Sequence, residues 1–214
     1  MRTETKDMER ELKSRLVPLL RDAERRSREA ATRVPELAAA RGLLDLAYGF
    51  AESPFGPLLV VVGRRGLVRV GYPDRDVDAE LEELAATISP RILESARRTE
   101  RPRKELDRYF SGKLRRFTVP VDLSAVASFS RRVLEATARI PFGSLSTYTK
   151  VAAEAGNPRA MRAAGNALGS NPIPIVVPCH RVVRTGGGLG GYTGGLDRKV
   201  TLLAIEGALN PARA

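Results

Sequence analysis

Cysteine and histidine are almost absent from this 214-residue sequence, which has one residue of each, and it contains no tryptophan. A single cysteine excludes an internal disulfide, and one cysteine with one histidine cannot form the usual structural zinc site. No apolar run approaches the roughly 20 residues that a membrane span needs. The charged N-terminus lacks the apolar segment of a signal peptide. The sequence therefore predicts a cytoplasmic protein that has no metal site and does not lie in a membrane.

Acidic residues are outnumbered, since the chain has a net charge of +11. Only six of the 36 basic residues are lysine, so an arginine-rich genome composition is one explanation of the excess. The distribution is more informative, because residues 125–214 carry a net charge of +7 and the longer segment 1–124 carries +4. This asymmetry favours a phosphate-binding C-terminal half.

Three regions follow one another along the chain. Pro18 and Pro35 interrupt the first 41 residues, so this extension is predicted to form several short helices, and no chemistry is assigned to it. Short apolar runs and the breaks SPFGP and GRRG predict a strand meander in residues 43–73. A helix is expected across DAELEELAATI, with Leu81, Leu84 and Ile88 on one face. Another helix is expected at about 102–111.

The C-terminal half has mostly helical patterns. Phe129, Val133, Ala136 and Ile140 recur at the spacing of one helical face. We therefore predict an α/β fold with three regions. Residues 1–41 are the helical extension, and residues 42–124 are a small domain of β-meander plus helix. Residues 125–214 are a mostly helical domain.

Residues 146–169 predict two further helices joined by a tight turn. Ser146 or Thr147 can cap the first helix and Gly156 can end it. Asn157 can cap the second, with Pro158 in its first turn. The pair is typical of a helix-turn-helix, although helical pairs without a nucleic-acid role share this pattern.

The second of these helices consists mainly of small residues around one arginine, Arg162. Close packing against another helix is one explanation. The alternative is that Ala160, Ala163 and Gly165 allow the helix to enter a DNA minor groove, which is only about 6 Å wide. Arg162 would then be the long side chain that reaches into the base stack.

The lone cysteine and the lone histidine are adjacent, in the segment IPIVVPCHRVV at residues 173–183. A lone cysteine is usually a small buried hydrophobe. Here Pro172, Pro174 and Pro178 stiffen the approach to Cys179. A glycine-rich loop follows and presents Tyr192 and Thr193.

This segment resembles the active site of the O6-alkylguanine-DNA alkyltransferases. The resemblance extends from about Asp45 to Gly207 and includes SPFGPLLVVVGRRGLVRVGY, LDRYFSGKLRRFTVPVDL and IPFGSLSTYTKVAAEAGNPRAMRAAGNALGSNP. It is specific because Asn171, the PCHR sequence at 178–181, Tyr192 and Glu206 occur together. Residues 1–41 lie outside it. The zinc ligands of some family members are missing, so no metal and no cofactor are expected.

The resemblance implies that Cys179 accepts the alkyl group of O6-alkylguanine, and also of O4-alkylthymine, in a single irreversible transfer. His180 would remove the thiol proton through a bridging water, and Glu206 would orient and charge-balance this relay. Such assistance is needed because a free cysteine, with a pKa near 8.5, is mostly protonated at neutral pH. Asn171 would be the hinge that links the helix pair to the active-site segment.

The resemblance also assigns the contacts with DNA. Tyr148 would turn the nucleotide out of the stack and donate a proton to the departing guanine, and Arg162 would fill the vacated space. Pro174, Val182, Tyr192 and Thr193 would surround and bind the guanine. The implied partner is double-stranded DNA, bound by a monomer through the minor groove with little sequence specificity.

Three other functions remain possible from the sequence. A non-catalytic recognition module of the alkyltransferase-like type would lack the acceptor cysteine, which is present here. A thiol hydrolase would turn over repeatedly. A helix-turn-helix regulator would require sequence-specific contacts in the major groove.

Overall fold

The computed structural model describes residues 2–72 and 74–209, with the backbone alone at residues 2–13 and 28. The chain divides into two compact units between Leu44 and Asp45. The first contains one long helix, α1 (Arg2–Ala40). Both Pro18 and Pro35 lie inside it, so the prediction of several short helices is wrong. Good helix formers surround both prolines, and a proline removes only local hydrogen bonds, which can kink a helix without ending it.

The second unit begins with a four-stranded sheet in the order β3-β2-β1-β4. Its strands are β1 (Leu46–Ala51), β2 (Leu58–Val62), β3 (Leu67–Gly71) and β4 (Ile92–Glu94). The first three form the predicted antiparallel meander, and β4 pairs with β1 in parallel. The sequence analysis missed β4, because three residues are too few to produce an alternating pattern.

Two helices accompany this sheet. Helix α2 (Val77–Thr87) begins at Asp76, whose carboxylate accepts hydrogen bonds from the backbone of Asp78 and Ala79. Leu84 is buried, but Ile88 is 42% exposed and follows the last turn. The prediction that Ile88 continues the helical face of Leu81 and Leu84 was therefore wrong, because the helix ends at Thr87 and Ile88 is its C-cap. Helix α3 (Glu100–Phe110) begins two residues before the predicted start and buries Leu106 and Tyr109.

Four helices dominate the C-terminal part: α4 (Ser128–Ala138), α5 (Tyr148–Glu154), α6 (Met161–Gly169) and α7 (Leu196–Ile205). Two short strands of this part, β5 (Ser146–Thr147) and β6 (Val182–Val183), pair with each other in parallel. On α4, Val133 and Ala136 are buried and Phe129 packs against the same core, as predicted.

The turn between α5 and α6 differs in part from the prediction. Thr147 caps α5 by accepting a hydrogen bond from the Lys150 backbone, and Gly156 follows the helix with a φ of 88°. Asn157 does not cap α6, however, because its side chain accepts from the Arg159 backbone at 3.2 Å and closes a local turn. Helix α6 therefore begins at Met161, after Ala160, and Pro158 lies outside it.

Among the described residues, the larger of two apolar clusters connects the sheet to the C-terminal helices. It contains Leu58 and Leu67 from the sheet, Val133 from α4, Ile173 from the active-site segment and Leu202 from α7. The predicted α/β class, with a sheet first and helices afterwards, is confirmed. The boundary at residue 124 stays a prediction. None of the helices in the described ranges is long and apolar enough to span a bilayer.

Candidate active site

Asn171 fixes the shape of the chain that leads to Cys179. Its amide nitrogen donates to the Val177 carbonyl at 2.8 Å and to the Cys179 sulfur at 3.1 Å. Its amide oxygen accepts from the Ile173 backbone at 3.0 Å. One buried side chain therefore closes the loop 171–179 and contacts the sulfur directly.

The backbone inside this loop makes two very tight turns. Ile175 has a φ of 73°, and the Val176 N–H donates to the Pro174 carbonyl at 2.9 Å. This is the strained form of a three-residue turn, which a β-branched residue rarely adopts. The Cys179 N–H closes a second three-residue turn on the Val177 carbonyl at 2.8 Å. This one has the relaxed form, because Pro178 at its centre has a φ of −82° and a ψ of 63°. The strain at Ile175 persists only where the surrounding contacts enforce it, and strain of that kind concentrates at functional sites.

Cys179 is buried at the floor of a cavity of about 360 Å3. Burial raises the pKa of its thiol to about 11, although the hydrogen bond from Asn171 and the charge of Lys199 act in the opposite direction. At neutral pH the resting sulfur is therefore a thiol. A base must remove its proton before it can act as a nucleophile.

Glu206 is the centre of a buried hydrogen-bond network. Its Oε1 accepts from Tyr109 Oη at 2.8 Å and from Arg181 Nη2 at 2.8 Å, and it lies 2.9 Å from His180 Nε2. Its Oε2 accepts from Arg181 Nε at 2.8 Å and from the Gly143 N–H at 3.2 Å. Burial alone would raise the pKa of this carboxyl, but the bonds from His180 and Arg181 lower it to about 2. Glu206 is therefore a carboxylate.

This network determines the protonation state of His180. Burial lowers the pKa of the imidazole, which is therefore neutral at pH 7. Because a carboxylate can only accept, the single ring proton belongs on Nε2, which donates to Glu206. The Nδ1 atom is buried, and no side chain or backbone group in the described ranges hydrogen-bonds it. His180 thus keeps one basic nitrogen available for a proton.

Lys199 is a second ionisable group close to the sulfur, and it is fully buried. Its ammonium group donates to the carbonyls of Val182 at 2.6 Å, of Gly191 at 3.2 Å and of Leu189. Burial lowers the pKa of Lys199 to about 8, whereas the charge of a Cys179 thiolate would raise it. The lysine therefore fixes the glycine-rich loop and provides a positive field at the sulfur.

Aromatic and glycine residues form the rest of the cavity wall. The Tyr148 hydroxyl donates to the Gly191 carbonyl at 3.3 Å, and the Tyr192 hydroxyl lies 2.7 Å from that of Tyr72. Thr193 donates to the Gly169 carbonyl at 2.6 Å. The cavity is lined by Tyr148, Gly165, Leu168, Gly169, Cys179, Gly191, Tyr192 and Thr193.

Gly190 is needed where the loop approaches Tyr148. It has a φ of 68°, and a Cβ atom there would lie 2.7 Å from the Tyr148 hydroxyl. Any other residue would therefore displace the tyrosine ring from the cavity wall.

Several residues assigned from the sequence lie outside this cavity lining. Pro174 is buried beside it, in a smaller adjoining cavity with Asn171 and Thr193. Val182 is fully buried, and its carbonyl accepts from Lys199. A direct guanine contact by Pro174 or Val182 stays a prediction.

The residues predicted to contact DNA are on helix α6 or just before it. Arg162 and Ala163 are exposed, and Ala160 and Gly165 are half-buried. A Cβ atom at Gly165 would lie 3.9 Å from the Tyr148 ring, so this glycine places α6 beside the cavity. Helix α6 thus lines the cavity through Gly165, Leu168 and Gly169.

The sequence analysis gave no role to three residues that complete the site: Tyr109, Arg181 and Lys199. Arg181 was visible in the motif at 178–181, but its partners were not. Tyr109 is 97 positions from Glu206 in the sequence, and no local pattern links the two. An internal lysine on the apolar face of a helix is the only sequence signal for Lys199.

Comparison with known proteins gives consistent matches over most of the chain. Residues 46–123 match the family described as "6-O-methylguanine DNA methyltransferase, ribonuclease-like domain". Residues 128–208 match its "DNA binding domain". A methylated-DNA–protein-cysteine methyltransferase of Mycolicibacterium paratuberculosis is 48% identical over 165 residues, which cover 77% of this chain and 94% of the relative.

Solved structures give the same result. The O6-methylguanine methyltransferase of Mycobacterium tuberculosis aligns with a TM-score of 0.66 and 34% identity, covering 78% of this chain and 96% of that one. The Mycobacterium tuberculosis protein solved in complex with DNA aligns with a TM-score of 0.65 and 34% identity, over the same shares of both chains.

Proposed function

Because this chain belongs to the methylated-DNA–protein-cysteine methyltransferase family, we propose that Cys179 is the residue that accepts the alkyl group. The protein repairs alkylated DNA by transferring the alkyl group of O6-alkylguanine to its own cysteine. The supporting observation is that the only cysteine of the chain is at the floor of a cavity, beside the His180–Glu206–Arg181 network. Intact mass spectrometry after exposure to lesion-bearing DNA tests the assignment.

In the proposed reaction, His180 supplies the base. Its Nδ1 takes the Cys179 proton through a bridging water, and the Glu206 carboxylate stabilises the resulting imidazolium. The sulfur then attacks the alkyl carbon in line, so that an S–C bond forms as the C–O6 bond breaks. The electron pair remains on the guanine, which takes a proton from Tyr148. The His180 imidazolium then releases the thiol proton to water and the Tyr148 oxygen takes one up, so that the thiol proton is balanced by the proton on the guanine. Lys199 stabilises the thiolate, because its ammonium is the cation that lowers the pKa of Cys179.

The target base must leave the duplex to reach a buried sulfur. We propose that the nucleotide is flipped past Tyr148 into the cavity and that Arg162 fills the gap in the stack. Helix α6 would enter the minor groove through Ala160, Ala163 and Gly165, whose small side chains permit close approach. Tyr192, Thr193, Pro174 and Val182 would hold the guanine, and O4-alkylthymine would fit by the same route. We expect a monomer that acts in the cytoplasm.

The same mass experiment distinguishes the other functions. A non-catalytic recognition module or a helix-turn-helix regulator would leave both masses unchanged. A thiol hydrolase would change the substrate repeatedly and leave the protein mass as it was. Transfer predicts that the protein gains the mass that the DNA loses.

Replacing Arg162 with alanine should slow repair of duplex DNA much more than reaction with free O6-benzylguanine. Only the duplex requires a flipped base and a side chain to fill its place. Single-turnover rates on both substrates measure the difference. Equal losses on both would mean that Arg162 supports the fold or the cavity and not base flipping.

Binding to undamaged DNA should weaken steeply with salt and depend little on sequence. The minor groove presents a nearly degenerate pattern of acceptors, so phosphate contacts must supply most of the affinity. The logarithm of the binding constant should fall with a slope of about −0.9 per phosphate neutralised. Titrations of several undamaged duplexes over a range of salt concentrations test this. A strong preference for one sequence that persists at high salt would contradict minor-groove binding and favour the regulator.

A further inference from the structure

A second groove lies beside the segment that carries Cys179, and none of its lining residues belongs to the cavity around the sulfur. Its volume is about 640 Å3. The connection at 115–121, the end of α4 with the turn after it, and the segment 176–181 form its walls. We call it the arginine groove, after Arg115, Arg116, Arg139 and Arg181.

The arginine groove carries positive charge that the surrounding protein does not neutralise. Arg115, Arg116 and Arg139 are exposed, and in the described ranges no carboxylate pairs with any of the three. Arg181, in contrast, is held by Glu206. Three cations along one groove attract an anionic chain.

Aromatic and apolar surface lies between these charges. Phe117 and Phe142 are half-buried and line the groove. The Arg115 and Arg181 guanidinium groups each lie 5.9 Å from the centroid of the Phe142 ring. Proteins that bind single-stranded nucleic acid combine a basic groove for the backbone with aromatic faces on which unpaired bases stack. The bases of a closed duplex are stacked and have no free faces to pack on these rings. An acidic peptide would use the arginines but has no bases to stack on the aromatic surface.

We propose that the arginine groove binds a single-stranded segment of DNA. Arg115, Arg116 and Arg139 hold phosphates, and an unpaired base packs on Phe117, because the Phe142 ring already carries two guanidinium groups. The inference rests on the proposed function only in taking DNA as the polymer, since no residue of the alkyl-transfer cavity takes part. A strand held here would bring the protein to DNA that is locally open.

The test compares two triple variants with equal loss of charge. One is Arg115→Gln with Arg116→Gln and Arg139→Gln. The control is Arg41→Gln with Arg98→Gln and Arg108→Gln, all exposed positions outside the groove. Fluorescence anisotropy with labelled ten-nucleotide oligothymidylate measures binding. The groove variant should bind at least about tenfold more weakly than the control, with a salt slope shallower by about 0.7 per arginine removed. Equal weakening in both variants would overturn the proposal.

Ultraviolet cross-linking of the same oligonucleotide locates its contacts. Adducts are expected on peptides that contain Phe117. Adducts confined to Tyr148 and Tyr192 would overturn the proposal, as would equally effective competition by polyglutamate, which would assign the groove to acidic peptides. The groove variant should still accept an alkyl group from O6-benzylguanine at the wild-type rate, which verifies its fold. If the wild-type protein accepted none, the alkyl-transfer assignment would fail, while the binding comparison would still decide the role of the groove.

Discussion

Exposure to excess O6-methylguanine DNA is expected to add one methyl group to each protein molecule and then stop. The product at Cys179 is a thioether, which has no good leaving group. The described residues around the sulfur contain no second thiol that could take the methyl group on, because the chain has a single cysteine. The protein mass should therefore increase by one methyl group and the DNA mass should decrease by the same amount.

The matched variant is Cys179→Ala, which should transfer no alkyl group while still binding DNA. The sulfur accepts a hydrogen bond from Asn171, and the other bonds of Asn171, to the backbone of Val177 and Ile173, should hold the segment after α6 without it. Intact mass spectrometry measures transfer, and a gel-shift or anisotropy titration measures binding. Turnover beyond one equivalent by the wild-type protein, or methylation of the alanine variant, would rule out the single-turnover mechanism.

Local sequence patterns predicted the helix ends that depend on one residue and its immediate backbone neighbours. Thr147 caps α5 and Gly156 ends the helix, as expected, because each acts through its own backbone neighbourhood. Two of the errors occurred where two local preferences compete. Asn157 can cap a helix or close a turn two residues later, and the structure takes the turn. Pro18 and Pro35 can end a helix or only bend it, and the surrounding helix-forming sequence decides.

In the candidate site, too, some residues could be identified from the sequence and others only from the structure. The resemblance identified Cys179, His180 and Glu206, and the structure places His180 and Glu206 in one buried hydrogen-bond network. It could not predict that Tyr109 from α3 donates to the same carboxylate, since that contact depends on how the sheet region packs against the C-terminal helices. Long-range contacts of this kind require the tertiary structure. The assigned catalytic roles themselves stay predictions until the variants are measured.

Replacing Glu206 with glutamine should destabilise the fold by about 3–5 kcal/mol, because it removes the counter-charge of a buried guanidinium. Arg181 is 7% exposed at its side chain and donates to both carboxylate oxygens of Glu206. The neutral amide also presents an N–H group toward other donors. Chemical denaturation at pH 7 measures the free energy of unfolding. The rate of alkyl transfer should also fall, because His180 loses the carboxylate that orients it.

Tyr109→Phe is the matched control, since it removes one donor to the same carboxylate and leaves the charge pair intact. The free energy of unfolding should fall by about 1.5–3 kcal/mol, the usual contribution of a hydrogen bond to a charged group.

The pH dependence of stability separates the loss of the Glu206 charge from the loss of a hydrogen bond. The pKa of Glu206 is about 2 in the folded protein and about 4.3 in an unfolded chain. Its stabilisation is therefore complete well above pH 4.3 and is lost as the pH falls toward 2. The stability gap between wild type and Glu206→Gln should narrow over that interval. A gap that stays constant down to pH 2, or a tyrosine variant as unstable as the glutamine variant, would show that the charge on Glu206 is not what stabilises the site.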